Sequence, residues 1–482
     1  MDKLMLDLST PGKRGVRLYD SDFAPDIQAH LPQEYLREKP PELPELSESE
    51  VIRYFVNLSR KNHHVDKGFY PLGSCTMKYN PKINEETAAL PGFRNIHPHQ
   101  PPESAQGALR LLFETGRHLC EIGGLDAITL QPSAGAHGEL TGLMTIRAFH
   151  ESQGHPRKYV LVPDSAHGTN PASVSIAGYK SKTLKSDQNG LIDLEELKKS
   201  LDQDTAALML TNPNTLGLFE KNVKEITSLV HQAGGLVYMD GANMNALLGI
   251  VRPGDLGVDV VHFNLHKTFS TPHGGGGPGS GPIAVTKALE LFLPGPCVHK
   301  TDNSYTWDCD RAKSIGKVSS FYGNFSVIVR AFTYILMLGG KGLRQVAEQA
   351  IINSNYLLSK LKNDFDLPYK QTPMHEFVLS GNRQKEYGVK TLDIAKRLLD
   401  FGVHAPTVYF PLIVSEAMMI EPTETESRAT LDAFAAAMIQ IAHESKTDPE
   451  KVKTAPHTTV ISRLDEAQAA RQLNVRYNRQ DE

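Results

Sequence analysis

The chain has 482 residues, of which 40% are hydrophobic and 22% charged, a composition able to build a large packed core. Its net charge of −4, from 51 basic and 55 acidic residues, offers no electrostatic case for nucleic acid or an anionic membrane as partner. Four cysteines, Cys75, Cys120, Cys297 and Cys309, are too few and too scattered for a disulfide framework or a zinc site, and they suit a reducing compartment. The N-terminus lacks a cationic region followed by an apolar core, and no apolar stretch reaches the length of a membrane span, so a cytoplasmic location is expected.

Residues 1–50 are rich in Pro, Glu and Ser and read as a leader or extended arm rather than a core. A helix is predicted over 49–60, then an irregular segment to 102. From 103 the pattern becomes regular. Leu109, Leu112, Phe113, Leu119 and Ile122 share a helical face that Gly123-Gly124 closes. Short apolar runs follow at Tyr159–Val162, Ala206–Leu210, Leu236–Met239, Val258–Phe263 and Pro282–Val285, with a helix at Val223–Ala233 among the intervening segments. Such runs, separated by helices, predict a mostly parallel sheet covered on both faces. A smaller α/β unit should start near 343, with helices near 343–363, 391–401 and 425–443 and strands near 375–380, 407–413 and 417–420. Thr423 and Glu426 form a capping-box pattern for the last helix. The expected division is 1–102, 103–342 and 343–482, the last ending in a charged tail.

The chemistry collects where strands end. Asp240 closes the run Leu236–Met239, and Lys267 follows 27 positions later in His266-Lys267-Thr268. A lysine amine forms a Schiff base with the aldehyde of pyridoxal phosphate (PLP), and a carboxylate holds the pyridine nitrogen protonated. Two neighbouring parallel strands would supply both groups to one ring. Ser133, Ala134, Gly135 and Ala136 open a helical pattern whose exposed N–H groups suit a phosphate, although small residues also start helices for packing alone. His167 follows the Tyr159–Val162 strand and could lie flat on an aromatic ring. Asn212 and Asn214 follow another strand, where they could bond a phenolic oxygen or simply make a turn. The glycine-rich run from His273 to Gly281 is not GxxxxGK[ST] and precedes a strand, so it reads as backbone passing close to a cofactor or partner rather than a nucleotide loop. Cys75, inside Tyr70–Pro81, reads as an inert thiol. The histidines at 63–64, 97 and 99 read as loop residues with no metal role.

These runs, in this order, resemble the PLP enzymes of the aspartate-aminotransferase-like fold (fold type I). More narrowly they resemble the glycine decarboxylase P-protein family of the glycine cleavage system. The runs that carry the resemblance are YPLGSCTMKYNP at 70–81, QPSAGAHGE at 131–139, DSAHGTNPAS at 164–173, TNPNTLGLFE at 211–220, YMDGANMNA at 238–246 and FNLHKTFSTPHGGGGPGSGP at 263–282. The length and the presence of Lys267 match the PLP-bearing second subunit of the two-subunit form. The resemblance implies a partner subunit 1 in an α2β2 tetramer, glycine as substrate and a lipoylated H-protein as acceptor. It makes Lys267 the cofactor-binding lysine and pairs Asp240 with the pyridine nitrogen. It stacks His167 on one ring face with Ala242 on the other. It sets Ser133–Ala136 and His266 at the phosphate and Asn214 near the phenolic oxygen. Two alternatives remain at this point: another enzyme of this fold acting on a free substrate, and a catalytically silent subunit.

Overall fold

The computed structural model describes residues 3–19, 22–23, 26–39, 41–273 and 276–474. Pro40 of the proline-rich arm and Gly274 and Gly275 of the glycine-rich run lie outside the described residues. The chain divides into two compact units, Met1–His64 and Val65–Glu482. In the first, most described residues before the helix are exposed and irregular, and Thr10 N–H bonds the Glu45 carbonyl at 3.0 Å. The helix expected at 49–60 is Glu48–Arg60, where Glu50 turns back to accept the Ser47 N–H at 2.8 Å.

The second unit is built on seven strands: β1 (Ala127–Thr129), β2 (Tyr159–Pro163), β3 (Lys180–Leu184), β4 (Thr205–Thr211), β5 (Leu236–Gly241), β6 (Val260–Phe263) and β7 (Ile283–Val285), in the order β1-β7-β6-β5-β4-β2-β3. Strands β2 to β6 pair in parallel, and β7 runs antiparallel to both β6 and β1. Both faces are covered, which is why the runs are continuously apolar instead of alternating. On one face Leu208, Val237, Met239 and Val261 pack with Leu119 and Ile226. On the other, Ala207, Met209, Tyr238 and Val260 pack with Leu143 and Ile146 of the Gly135–Ser152 helix. Each fully buried Leu, Ile or Val contributes about 1.5–3 kcal/mol. Strands β1 and β3 were not anticipated. They are short or polar, as Lys180-Ser181-Lys182 shows, because they flank the buried strands.

A hairpin, β8 (Cys297–Lys300) with β9 (Tyr305–Asp308), leads to the helix Phe325–Leu361. This helix begins well before the expected 343 and bends at Gly339, whose φ is 57°. By length and composition alone it could cross a membrane, which corrects the expectation that no stretch is long and apolar enough. Its apolarity has a packing cause: Val327, Ile328 and Tyr334 enter the large-sheet core, while Leu357, Leu358 and Leu361 enter the core of a second sheet. That sheet is antiparallel, β10 (Phe377–Ser380), β11 (Thr407–Val408) and β12 (Ala417–Ile420), in the order β10-β12-β11. β11 stops far short of 413, because Tyr409 turns to φ 57° and Pro411 has no N–H to pair. The last long helix is Arg428–Thr447, and Ser427, not Thr423, accepts its Thr430 N–H at 3.2 Å. Thr423 is buried at φ 58°, and its carbonyl accepts from Asn353 Nδ2 at 2.8 Å. The segment 61–102 contains the short helices Lys82–Ala88 and Pro91–Arg94, and the tail holds Pro449–Lys453 and Glu466–Arg471.

Candidate active site

The parallel strands β2, β4, β5 and β6 end on one edge of the sheet, and so does β1, which runs in their direction through the antiparallel β7. That edge receives His167 after β2, Asn212 and Asn214 after β4, Asp240 and Ala242 at the end of β5, and His266 and Lys267 after β6. It also receives the start of the Gly135–Ser152 helix after β1. Loops at such an edge are where open α/β sheets bind ligands.

Asp240 is buried and well partnered. Its carboxylate accepts the Ala242 N–H at 2.9 Å and Asn170 Nδ2 at 3.2 Å, and His262 Nε2 lies 3.3 Å away. Burial alone would raise this carboxyl. The charge of His262, the Ala242 N–H, the Lys267 charge and Asn170 outweigh it, and Asp240 lies below its ordinary value. His262 is in turn bonded to the Tyr238 hydroxyl, 2.7 Å from its Nδ1. Neither Tyr238 nor His262 was anticipated. The available signal was a histidine inside the apolar run of β6; the structure adds its direct register with Asp240 on β5.

Lys267 is half-buried, and its amine donates to the Ser74 carbonyl at 2.9 Å. Beside it, the Nδ1 of His266 accepts the Ser280 N–H at 3.1 Å. Burial and the neighbouring Lys267 and His273 push His266 down to about 3, so it is a neutral ring. Ser133, Ala134 and Ala136 are exposed at the helix start, where N–H groups lacking helical partners favour an anion. Gly281 brings the other wall in: its N–H bonds the Pro132 carbonyl at 2.9 Å, and a Cβ there would sit 2.0 Å from the Ala134 carbonyl oxygen. The close approach is therefore made to the chain's own helix start.

His167 is exposed, and its Nδ1 lies 2.8 Å from Thr169 Oγ1, which donates to the buried Glu139 at 2.7 Å. The Thr169 N–H also donates to this Nδ1, at 3.3 Å, so Thr169 holds the ring through both its backbone and its side chain. Ala242 is buried beside Asp240. Asn214 is committed elsewhere: its Nδ2 donates to the Gly190 carbonyl at 2.7 Å, and its Oδ1 accepts from Leu216 and Leu218 N–H. The structure thus brings the other expected residues to the edge but engages the Asn214 amide with the backbone of its own loop and of Gly190. Among the described residues, Asn212 keeps a buried Nδ2 without a partner.

The larger omission is the Tyr70–Pro81 segment and what it meets. Lys78 is buried, its amine 2.7 Å from Glu424, 2.9 Å from Asn245 and 3.1 Å from the Tyr334 hydroxyl. Ser74 N–H donates to Glu376 at 2.7 Å, and Thr76 donates to Glu421 through N–H at 3.0 Å and Oγ1 at 2.6 Å. Cys75 lies between them, its thiol pushed up by burial, in keeping with an inert thiol.

This edge fits PLP. It offers a carboxylate held charged, a lysine amine bonded to a carbonyl, a helix start whose first N–H groups lack helical partners, and polar atoms that, among the described residues, are left buried without partners at Asn264, Thr268, Thr271, His273 and Ser280.

The profile described as Glycine cleavage system P-protein matches residues 19–306, and the profile described as Glycine dehydrogenase, C-terminal domain, matches 346–463. A protein of Chloroherpeton thalassium named probable glycine dehydrogenase (decarboxylating) subunit 2 is 60% identical over 481 residues, covering 99% of this chain and 98% of its own. A protein of the same name from Halalkalibacterium halodurans is 59% identical over 478 residues, covering 99% and 98%. Among solved structures, an inhibitor-bound glycine decarboxylase (P-protein) of the glycine cleavage system aligns with a TM-score of 0.74 at 24% identity, covering 86% of this chain and 94% of that one. A NifS-like protein aligns at 0.61 and 17% identity, covering 78% and 99%. The fold is the aspartate-aminotransferase-like, type I fold that the motifs led us to expect, with PLP as its cofactor. The chain belongs to the glycine cleavage system P-protein family.

Proposed function

We propose that this chain is the PLP-bearing subunit of glycine decarboxylase, releasing the glycine carboxyl as CO2 and passing the aminomethyl group to the lipoyl-lysine of H-protein. The observation that carries this reading is Asp240, held charged at the end of β5, facing the charge of Lys267 after β6. PLP, when bound, supplies an electron sink for the pair left by decarboxylation.

The residues divide the work. Lys267 is the lysine that holds the cofactor, and its amine is the group that gives up and takes back a proton at Nζ. The Ser74 carbonyl keeps that amine aimed while it is free. Asp240 stabilises a proton on the pyridine nitrogen, and His262 and Tyr238 behind it keep the carboxylate oriented and dry. His167 and Ala242 border the ring, with Glu139 and Thr169 fixing the imidazole. Ser133, Ala134, Gly135 and Ala136, with neutral His266 alongside, hold the phosphate. Asn212, with its unpartnered Nδ2, is better placed than Asn214 to bond the phenolic oxygen. A PLP site with this Asp/Lys pair counts against a silent subunit.

The relatives' name, subunit 2, implies a partner subunit. We assign the chain to an α2β2 assembly with subunit 1, with H-protein as acceptor, in the cytoplasm, where four free thiols would persist. The test is exchange of labelled bicarbonate into the carboxyl of glycine by this chain co-purified with its partner. Exchange that requires both glycine and lipoylated H-protein is the expected result. Exchange or turnover of a free amino acid without H-protein would contradict the proposal.

A further inference from the structure

The second sheet sends two carboxyls toward Lys267. Phe377 of β10 and Ile420 of β12 are register partners on antiparallel strands, so Glu376, just before one, stands across from Glu421, just after the other. Both side chains are fully buried. Glu376 accepts Ser74 N–H on Oε2 and Asn243 Nδ2, at 3.3 Å, on Oε1, while Glu421 accepts the Thr76 N–H and hydroxyl. Ligand atoms of His375, Glu376 and Glu421 lie within 4.8 Å of one another. Every carboxyl oxygen already faces a donor, so a metal ion here would have to displace those hydrogen bonds.

Two carboxylates this close in a dry site cannot both ionise readily. Burial, then the charge of Glu421, raises Glu376 well above the ordinary range, and burial pushes Glu421 up to about 7. The other titratable groups around them are Lys267, which draws both down, Glu424, which raises Glu421, the Cys75 thiol, and His375, which burial holds at about 3 and therefore neutral.

The pair holds a loop that does not rest easily. Ser74 and Thr76 adopt φ of 62° and 45°, a region non-glycine residues rarely enter. Gly73 lies so close to β12 that a Cβ would come within 2.3 Å of Met419 Cγ. The Ser74 carbonyl of this loop is the acceptor of the Lys267 amine.

We propose that Glu376 and Glu421 are the positioning pair of Lys267, Glu376 staying protonated and Glu421 carrying the charge, so that together they fix the Ser74 carbonyl that aims the amine. The proposal rests on the assignment of Lys267 given above.

Infrared difference spectroscopy of the full chain without cofactor, at about pH 8 where an ordinary Glu is fully ionised, tests the protonation directly. Wild type should show the C=O stretch of a buried protonated carboxyl, and Glu376→Gln should remove it. A band that survives Glu376→Gln, or no band in wild type, overturns the proposal. This readout uses neither glycine nor cofactor, so its failure is separable from failure of the glycine reading. In the co-purified complex, Glu376→Ala should slow exchange roughly ten- to a hundredfold, from the lost Ser74 hydrogen bond, and Glu376→Gln should recover most of that. Gln behaving like Ala would overturn the protonated assignment. If neither Glu376 variant folds, Glu421→Gln decides. It should abolish the part of the pH profile that titrates near 7, and an unchanged profile would overturn the pair's role.

Discussion

Asp240 and Glu376 are both buried carboxyls at strand ends, and both feel Lys267. They reach opposite protonation states. Asp240 has a histidine at 3.3 Å, a backbone N–H and an amide, and stays charged. Glu376 faces a second carboxyl and an uncharged histidine, and burial prevails. Both are carboxylic acids and both are buried, so the difference lies in which groups the fold places opposite each. One sheet edge thus presents a charged carboxylate, which we propose serves the cofactor ring, while the other sheet presents a carboxyl that burial keeps from ionising readily.

The comparison can be broken most severely at the lysine. Lys267→Ala should reduce glycine–bicarbonate exchange on the order of 10⁴-fold while the circular dichroism spectrum stays native; a near-normal rate would remove Lys267 from its role. Asp240→Asn should retain PLP yet lower the exchange rate about 10²- to 10³-fold, the scale of losing one preorganised electrostatic partner. A near-normal rate would show that the charge is not needed. Lys78→Met leaves the half-buried Glu424 without its cation and should destabilise the chain by about 3 kcal/mol in denaturant titration; a smaller loss would mean that the Tyr70–Pro81 segment is held mainly by its other contacts.

The smallest effect sharpens the comparison through pH. Glu421 has a folded pKa raised to about 7, so the folded chain binds more protons than the unfolded one from the ordinary carboxyl range up to about 7. Stability therefore falls as pH rises through that window. Glu421→Gln abolishes this loss, and its denaturation midpoint should drop less than that of wild type between about pH 5 and pH 8. Parallel curves would place Glu421 in the ordinary range.

Much of the large sheet was legible because buried parallel strands write continuous apolar runs, and the site was legible because its residues follow those runs directly. Asp240 and Lys267 could be paired because one crossover of about the right length joins β5 to β6 and the other strand-end motifs surround them in order. Glu376 and Glu421 could not. They meet the Ser74 and Thr76 loop across 302 and 345 residues, and nothing local marks a glutamate as buried. His262 was hidden for a related reason: its partner, Asp240, is an adjacent-strand neighbour visible only once register is known. The capping pattern at Thr423 misled because tertiary bonds from Asn353 to the carbonyls of Thr423 and Glu426 hold that turn outside the helix. Asn214 shows the same limit in a loop, its amide consumed by Gly190, Leu216 and Leu218.

The central claim is that one particular lysine carries the cofactor. Two buried or half-buried lysines are held by the Tyr70–Pro81 segment or belong to it: Lys267, bonded to a carbonyl, and Lys78, ion-paired with Glu424. Borohydride reduction of the PLP-loaded complex followed by peptide mass mapping would distinguish them. The account predicts a phosphopyridoxyl tag on the peptide containing Lys267 and none on the peptide containing Lys78. A tag on Lys78, or no covalent tag on this chain, would contradict it.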